Sequence, residues 1–296
     1  MSDGDIIHEE VIVRKYRAGS PWAHVFHALI YIMTIVLPLA IAFLTQGFWR
    51  KVEVYREQPT VDFSGKCILI LRGADENEYA VWSSFDTLNK AVEKKLNVPS
   101  IEIARTDHNN DGRSDKISIY ADFSQVRFTV RSLLWVFLLS YQLDQRYMLE
   151  AETSLTGETE QIRPGSGVHI VGNLNMIQND ILFENFKQGS PFNCSSADVT
   201  QFEPFNLITH GLQQNFSTEL ASQKIVWQPK VTSTDTFSVT LDVVIPPQLF
   251  FYKTGVFELL KWAWIQYLSL LIVVHYVLRN IAAAVFENQL LAVTRS

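Results

Sequence analysis

The feature that most constrains this chain is an uncharged apolar run near its N-terminus. Val25–Phe48 spans 24 residues without an Asp, Glu, Lys or Arg. As an α-helix such a run is about 36 Å long, more than the roughly 30 Å of a hydrocarbon core. Trp22 and Trp49 flank it where indole rings favour the headgroup region. We therefore predict a transmembrane helix over 25–48. Because no small-residue cleavage site follows a short apolar region, the helix reads as an uncleaved signal-anchor.

A second apolar run lies near the C-terminus. Trp262–Leu278 contains no Asp, Glu, Lys or Arg and stands between Lys261 and Arg279, whose long side chains can reach the headgroups. It predicts a second transmembrane helix over 257–279, and an extension through Asn280–Phe286 stays open. The two spans separate three further parts of the chain, an N-terminal tail at 1–24, a central domain at 49–256 and a C-terminal tail at 280–296.

Two N-glycosylation sequons orient the chain better than its charges, because basic residues flank both ends of the first span. Asn193 begins the sequence NCS, and Asn215 begins NFS. Glycans are attached to such sites only in the secretory lumen. We therefore predict cytosolic tails and a lumenal, later extracellular, central domain. The two cysteines, Cys67 and Cys194, also lie in this domain, where a disulfide can form; for Cys67 a buried apolar thiol is the alternative.

The central domain reads as mainly β-structure, because β-branched and aromatic residues alternate with polar ones between Gly, Pro, Asn and Asp. The predicted strands are Thr60–Leu71, Tyr79–Ser83, Ile101–Arg105, Lys116–Phe123, Val126–Tyr141, Val168–Leu174, Ile181–Phe186, Ile225–Trp227 and Thr236–Val244. We also predict a helix within Phe85–Val98, a core strand at Leu133–Tyr141 and a polar loop at Thr156–Gly167. The fold class is thus a membrane protein of α plus β type, with two transmembrane helices flanking a sandwich-like, mainly-β domain.

The segment Thr106–Tyr120 presents a choice between an ion site and a turn. Its oxygen-bearing residues follow the first nine positions of an EF-hand loop, with a glycine at the sharp turn. These positions are Asp107, Asn109, Asp111, Gly112, Arg113 through its carbonyl, and Asp115. Position twelve is Ser118, which cannot supply the bidentate carboxylate. The sequence NNDG is also a strong turn signal. A weak calcium loop and a hairpin turn both stay open, and no other cofactor is predicted.

The sequence offers no short motif of an enzyme. It lacks H-E-x-x-H, G-x-S-x-G, a phosphate-binding glycine loop and C-x-x-C, so we predict a protein without enzymatic activity. With a net charge of −6 we expect no nucleic-acid partner. The polar positions of the second span are Gln266, Ser269 and His275, which we interpret as a helix–helix contact rather than an ion pathway.

Six segments match one known family in the same order along the chain. They are Tyr16–Gly19, Gly47–Trp49, Tyr55–Phe63, the Asp107–Asp115 loop, Phe257–Val273 and Val285–Gln289. The chain resembles the transmembrane protein 231 family, two-span proteins of the ciliary transition zone. The stretch 145–235 is only loosely similar, so the sequons and Cys194 have no support from the family pattern. The resemblance implies a non-enzymatic scaffold at the cilium base, which helps form the membrane diffusion barrier and takes part in cilium assembly.

The resemblance also implies a location and partners. The location is the ciliary transition-zone membrane, and the partners are membrane lipids and members of the Meckel-syndrome or tectonic-like complex. The alternative is a subunit of an oligomeric two-span channel with a large extracellular domain. Such outer domains are usually cysteine-rich, whereas this chain has two cysteines. A third interpretation, a membrane-tethered hydrolase, would need a serine–histidine or carboxylate cluster assembled from distant strands.

Overall fold

A computed structural model of the chain describes residues 16–18, 20–45, 51–192, 200–229, 235–288, 290 and 293–295. The chain divides into two units, Met1–Lys51 with Thr254–Ser296, and Val52–Lys253. The helices are α1 (Pro21–Leu44), α2 (Asp86–Ala91), α3 (Pro204–Leu212) and α4 (Val256–Glu287). The strands are β1 (Tyr16–Ala18), β2 (Val52–Glu57), β3 (Thr60–Arg72), β4 (Tyr79–Ser83), β5 (Ser100–Thr106), β6 (Lys116–Phe123), β7 (Ser132–Leu143), β8 (Leu149–Glu160), β9 (Gly165–Gln178), β10 (Phe186–Gln188), β11 (Phe216–Pro229), β12 (Phe237–Val244), β13 (Gln248–Lys253) and β14 (Val293–Arg295).

Two long helices dominate the first unit. α1 begins four residues before the predicted span because Ser20 caps it, accepting the Ala23 N–H at 3.4 Å. Pro21 then occupies the first helical turn, where its missing N–H costs nothing. α4 continues past the predicted end at 279 to Glu287, and its 32 residues are about 48 Å long. Both helices are long and apolar enough to cross a membrane.

α1 and α4 pack against each other. The rings of Phe26 and Phe286 meet edge to face with centroids 5.8 Å apart, and the Tyr267 hydroxyl donates to the Ile35 carbonyl at 3.4 Å. In the same unit, β1 pairs antiparallel with β14, so the two ends of the chain meet in a short ribbon.

The polar side chains of α4 differ from the prediction. Ser269 donates to the Gln266 carbonyl of its own helix at 2.8 Å. Ser269 and His275 are exposed, whereas the more buried side of α4 falls on positions such as Tyr267 and Val274. The helical period turns both side chains outward, so neither is buried against α1. The predicted helix–helix contact is therefore wrong for Ser269 and His275 within this chain.

The second unit is a β-sandwich, as predicted. Sheet I has the strand order β10-β8-β7-β3-β4, and sheet II has the order β11-β9-β12-β6-β5. Paired strands are antiparallel except β10 with β8 and β12 with β9. The inner faces of the two sheets meet in the main core, in which Trp135, Phe137 and Phe237 are buried. β2 and β13 form a separate two-stranded ribbon.

A second apolar cluster covers the outer face of sheet I. Leu134 and Leu138 of β7 pack there with Leu88 of α2 and Leu207 of α3. β7 is therefore buried on both faces, which explains its uninterrupted apolar sequence. The core strand predicted at Leu133–Tyr141 is confirmed within β7.

Several predicted boundaries are wrong. The stretch 126–131 does not belong to β7, and its Val126 N–H donates to the Asp235 carbonyl instead. Thr156–Gly167 is not one loop, because β8 runs to Glu160 and β9 starts at Gly165. The predicted helix shrinks to α2 and one 3₁₀ turn. Of the strand predicted at Ile181–Phe186, only Phe186 lies in a strand, where it begins β10. β2, β8, β13 and α3 were not predicted.

Candidate functional site: the β5–β6 loop and the β2–β3 corner

The β5–β6 loop, Asp107–Asp115, closes a hairpin at the edge of sheet II. Asn110 and Gly112 have φ angles of 55° and 84°, a region that Asn and Gly adopt more readily than other residues. Asn109 Oδ1 accepts the Asp111 N–H at 3.0 Å, and Asp111 Oδ1 accepts the Arg113 N–H at 2.8 Å. Side-chain oxygens thus satisfy backbone donors that a tight turn leaves unpaired.

The two end aspartates close the loop. Asp107 Oδ2 accepts the Gly112 N–H at 3.0 Å, while its Oδ1 is buried without a hydrogen-bond partner among the described residues. Asp115 accepts the His108 N–H and the Gln58 side-chain amide, both at 2.8 Å. The hydrogen bond from His108, followed by that from Gln58, holds the pKa of Asp115 below its usual value.

The hydrogen bonds within the loop are those of a turn, and Asp107 Oδ1 remains without a partner among the described residues. In the part of the chain that the structure describes, no group of three or more His, Cys, Asp or Glu side chains is arranged to hold a metal ion. Ser118, the twelfth position of the calcium pattern, lies in β6 and donates to Asp242 away from the loop. Calcium binding stays a prediction for the five candidate ligands, Asp107, Asn109, Asp111, Arg113 and Asp115.

Arg113 fastens the loop to the β2–β3 corner, Glu57–Thr60. Its Nη1 donates to the Gln58 carbonyl and lies 3.5 Å from Glu57 Oε1. The Glu57 side chain is fully buried and also accepts the N–H groups of Asp144 and Gln145 at 3.1 Å each. A buried carboxylate stays charged only when a cation and hydrogen bonds offset its lost hydration. Arg113 supplies that cation.

A second ion pair joins the same part of sheet II to β3. Arg105 donates to both oxygens of Asp62, from Nε at 2.8 Å and from Nη2 at 2.9 Å. Tyr55–Phe63 and the β5–β6 loop, two segments that carry the family resemblance, are therefore joined in space. Arg105 and Arg113 thus both pair with carboxylates outside the loop.

Tyrosines surround the buried Glu57. Burial, and after it the negative charge of Glu57, raise the pKa of Tyr55 and of Tyr141 above the ordinary tyrosine value. Tyr141 donates to Gln248 Oε1 at 3.2 Å, and Gln248 Nε2 donates to the Leu174 carbonyl at 2.7 Å. Through these hydrogen bonds Tyr141 joins β7 to β13 and, by way of Gln248, to β9.

Sheet II carries a polar cluster that sequence reasoning missed. Asp242 of β12 accepts the Ser118 hydroxyl at 2.6 Å and lies 2.9 Å from His169 Nε2 and 3.0 Å from Lys116 Nζ. Burial raises the pKa of Asp242, but the hydrogen bonds from Ser118, His169 and Lys116 outweigh burial, so the pKa lies below its usual value. Three strands meet here, and no sequence spacing signals their pairing.

This cluster is not arranged for nucleophilic catalysis. A serine nucleophile needs a base within hydrogen-bond reach of its hydroxyl. Ser118 and His169 both bond Asp242, and within the described residues no hydrogen bond joins the two to each other. The carboxylate therefore links β6, β9 and β12 and leaves the serine without an activating histidine.

The remaining predicted residues are only partly described. Asn193 and Cys194 lie outside the described residues, so the glycan at 193 and the Cys67–Cys194 bridge stay predictions. Asn215 is exposed in the turn between α3 and β11. Cys67 is buried in the core between the sheets and has no disulfide partner among the described residues, and burial raises the pKa of its thiol to about 12.

The sequence profile of Transmembrane protein 231 matches residues 6–295. The chain belongs to the transmembrane protein 231 family. Relatives of that name are similar over almost their whole length. The Xenopus tropicalis protein is 28% identical over 291 residues, covering 96% of this chain and 93% of the relative. The Gallus gallus protein is 27% identical, covering 99% and 94%, and the Homo sapiens protein is 27% identical, covering 94% and 90%.

Family membership supports the identification of the two long helices as membrane spans. This member of the transmembrane protein 231 family is a membrane protein with two candidate spans that flank a β-rich domain. Among solved structures, a proton-activated chloride channel is similar at 8% identity with a TM-score of 0.26, covering 88% of this chain and 99% of that chain. A likeness this low carries no argument, so the channel alternative gains nothing from it.

Proposed function

We propose that this chain is a non-enzymatic membrane scaffold of the ciliary transition zone, where it contributes to the diffusion barrier that controls ciliary membrane composition and to cilium assembly. The observation that carries the proposal is the family match over residues 6–295, which includes both candidate spans and the whole β-domain. A protein of this design acts by occupying lateral space in the membrane and by offering partners a surface on either side.

The partners we propose are membrane lipids, tectonics and Meckel-syndrome proteins. Exposed Ser269 and His275 on α4 support a contact with a membrane helix of another chain, because polar side chains in hydrocarbon gain hydrogen bonds across a helix interface. We also propose that both tails are cytosolic and that the domain carrying the sequon at Asn215 is lumenal or extracellular.

A scaffold rather than a catalytic role is supported by how the buried carboxylates are used. Glu57 is paired with Arg113 and Asp242 with Lys116, and each also accepts hydrogen bonds from separate strands or loops. Groups fixed in this way hold elements together, since their charge is already offset by the fold.

Localisation tests the proposal most directly. A chain tagged at its own locus should form a narrow ring at the cilium base, and its removal should change which membrane proteins enter the cilium. Re-expression of the wild-type chain is the control and should restore both. Staining along the whole plasma membrane, or an unchanged ciliary membrane composition after removal, would sink the proposal.

A matched pair of variants tests the contact proposed for α4. Ser269→Ala combined with His275→Leu should reduce recruitment to the ring without lowering the amount of membrane-inserted protein. Ile272→Val is the control, because Ile272 is 66% exposed on α4 and stays apolar. Equal recruitment of both variants would show that Ser269 and His275 do not bind a partner. The scaffold role would then be tested by the localisation experiment alone.

A further inference from the structure

The β2–β13 ribbon has an unusual outer face. Its inner side follows the ordinary pattern, with Phe250 and Tyr252 buried against the core. A solvated face of an antiparallel ribbon normally carries polar residues. Here the exposed positions include four apolar side chains, Val52 at 39%, Val54 at 46%, Leu249 at 64% and Phe251 at 49%. Phe251 stands directly opposite Val54, so the four are contiguous.

The neighbouring segment 181–183 extends this face. The Leu182 N–H donates to the Phe251 carbonyl at 3.1 Å, and the Lys253 N–H donates to the Leu182 carbonyl at 2.7 Å. Leu182 itself is buried, whereas Ile181 and Phe183 on either side of it are 43% and 57% exposed. The apolar ribbon face is defined here by six residues, Val52, Val54, Ile181, Phe183, Leu249 and Phe251.

Two cations border the apolar ribbon face. Arg56 stands opposite Leu249, and Lys253 stands opposite Val52. Both are exposed, and neither forms an ion pair within the described residues. The outer face of sheet II is different, since it carries polar side chains at the equivalent alternate positions. These include Glu102, Asp122, Asn173, Asn175 and Thr240. Val226 and Tyr120 on that face are also exposed, but His169 and Thr240 stand between them in the sheet register. The apolar positions of the ribbon, by contrast, are contiguous.

Chain connectivity limits how far this ribbon can be from a membrane. β13 ends at Lys253 and α4 starts at Val256. Even fully extended, the three residue steps from Lys253 to Val256 reach only about 10 Å. Trp262 and Trp264 follow in the first turns of α4, as expected near a headgroup region. Only two residues, Thr254 and Gly255, thus separate the ribbon from a candidate membrane span.

We propose that the apolar ribbon face docks on the phospholipid surface of the membrane that α4 spans. Its apolar side chains lie at the boundary of headgroups and acyl chains, and Arg56 and Lys253 contact lipid phosphates. The combination of apolar side chains with a cationic border is the composition that interfacial segments use. The proposal rests on the membrane character of the family and not on the ciliary role.

Photocrosslinking in the full-length chain tests the proposal. A diazirine-bearing amino acid replaces Leu249 in protein reconstituted into phosphatidylcholine nanodiscs, and mass spectrometry counts peptides that carry one lipid. The same amino acid at Tyr120, which is 38% exposed on the polar outer face of sheet II, is the matched control. We expect about tenfold more lipid adduct at position 249 than at position 120. A second probe position, Val54, repeats the measurement if the first variant folds poorly.

The border cations are tested in the same chain. In nanodiscs that also contain phosphatidylserine, Arg56→Glu combined with Lys253→Glu should lower the adduct yield at position 249 about threefold, because each position loses an attraction to anionic headgroups and gains a repulsion. An unchanged yield overturns the assigned phosphate contacts. Equal lipid adducts at 249 and 120, or crosslinks to a second copy of the chain in place of lipid, overturn the docking itself.

Discussion

At the residue scale, Arg113 carries the clearest stability prediction. Arg113→Met removes the cation beside the fully buried Glu57 and leaves its carboxylate with two backbone donors. Breaking a buried pair typically costs 3–5 kcal/mol, and because Arg113 is 22% exposed we expect about 2–3 kcal/mol. Thermal unfolding of the detergent-solubilised full chain should show the loss.

The control is the exposed pair of Arg105 and Asp62, whose side chains are 53% and 49% exposed. Arg105→Met should cost less than about 1 kcal/mol. Adding Glu57→Gln to Arg113→Met should recover part of the stability, since it removes the unpaired charge. If both arginine variants melt alike, burial of Glu57 does not govern the stability of this corner.

The calcium prediction belongs to the same scale. Asp107 and Asp111 each give one oxygen to a backbone N–H of the loop, and Asp107 Oδ1 is left for another partner. A loop without the position-twelve ligand should bind weakly, with Kd on the order of 10⁻³ M. Calcium at ten times Kd then stabilises the fold by about 1.4 kcal/mol.

The measurement compares melting of the wild-type chain in calcium and in chelator. Asp107→Ala with Asp111→Ala should abolish the calcium-dependent shift and also lower stability in chelator, because the loop loses its internal hydrogen bonds. Identical wild-type curves in calcium and chelator would leave the loop as a turn only.

The turn could be predicted from the sequence because its hydrogen-bond donors and acceptors are close together in the chain. The Arg113–Glu57 pair joins positions 56 residues apart, so no sequence pattern indicated it.

At the element scale, Gly157 fixes how β8 packs on β7. It stands opposite Trp135, and a Cβ at this position would lie 2.3 Å from Trp135 Cζ2. Gly157→Ala should therefore destabilise the domain by about 1–3 kcal/mol, since the indole cannot move within a close-packed core. Gly189→Ala is the control, because a Cβ there meets nothing within 4 Å. Equal denaturant midpoints for the two variants would mean that Trp135 shifts freely.

The same elements show what periodicity can predict. β7 was predicted because both of its faces are buried, which leaves a continuous apolar run. β8 was missed because its second half, TGETE, reads as a polar loop, although Gly157 within it is the position that makes room for Trp135. α3 was missed because it is short, and its Leu207 is buried only in the cluster that covers the outer face of sheet I. Tertiary packing decides such segments, and local pattern does not.

At the scale of the whole molecule, the spans were predictable because helix length and absence of charge are set by the bilayer. Strand order was not. The parallel pairing of β9 with β12, and the ribbon that joins β2 to β13 almost 200 residues later, bring together segments with no local signal of each other. The apolar ribbon face emerges only from that long-range pairing, because nothing in the sequence of Val52–Glu57 indicates that it pairs with Gln248–Lys253.

The orientation of the whole chain is tested at Asn215. Asn215 is exposed in a turn, so a folded domain can carry a glycan there, and attachment requires that the domain enter the secretory lumen. Digestion of the full chain with an N-glycosidase should increase its gel mobility, and Asn215→Gln should remove one glycan from the undigested protein. Asn215→Gln is preferable to a change at Ser217, whose 2% exposure means that its substitution would also disturb packing.

An epitope on the N-terminal tail supplies the complementary control, since it should be stained only after the plasma membrane is permeabilised. Staining of intact cells, together with no mobility shift on digestion, would reverse the orientation. It would also place the β5–β6 loop in cytosol, where calcium is far below the millimolar range that such a loop needs. The orientation therefore decides whether Asp107 and its neighbours can meet calcium at all, before any ligand geometry is considered.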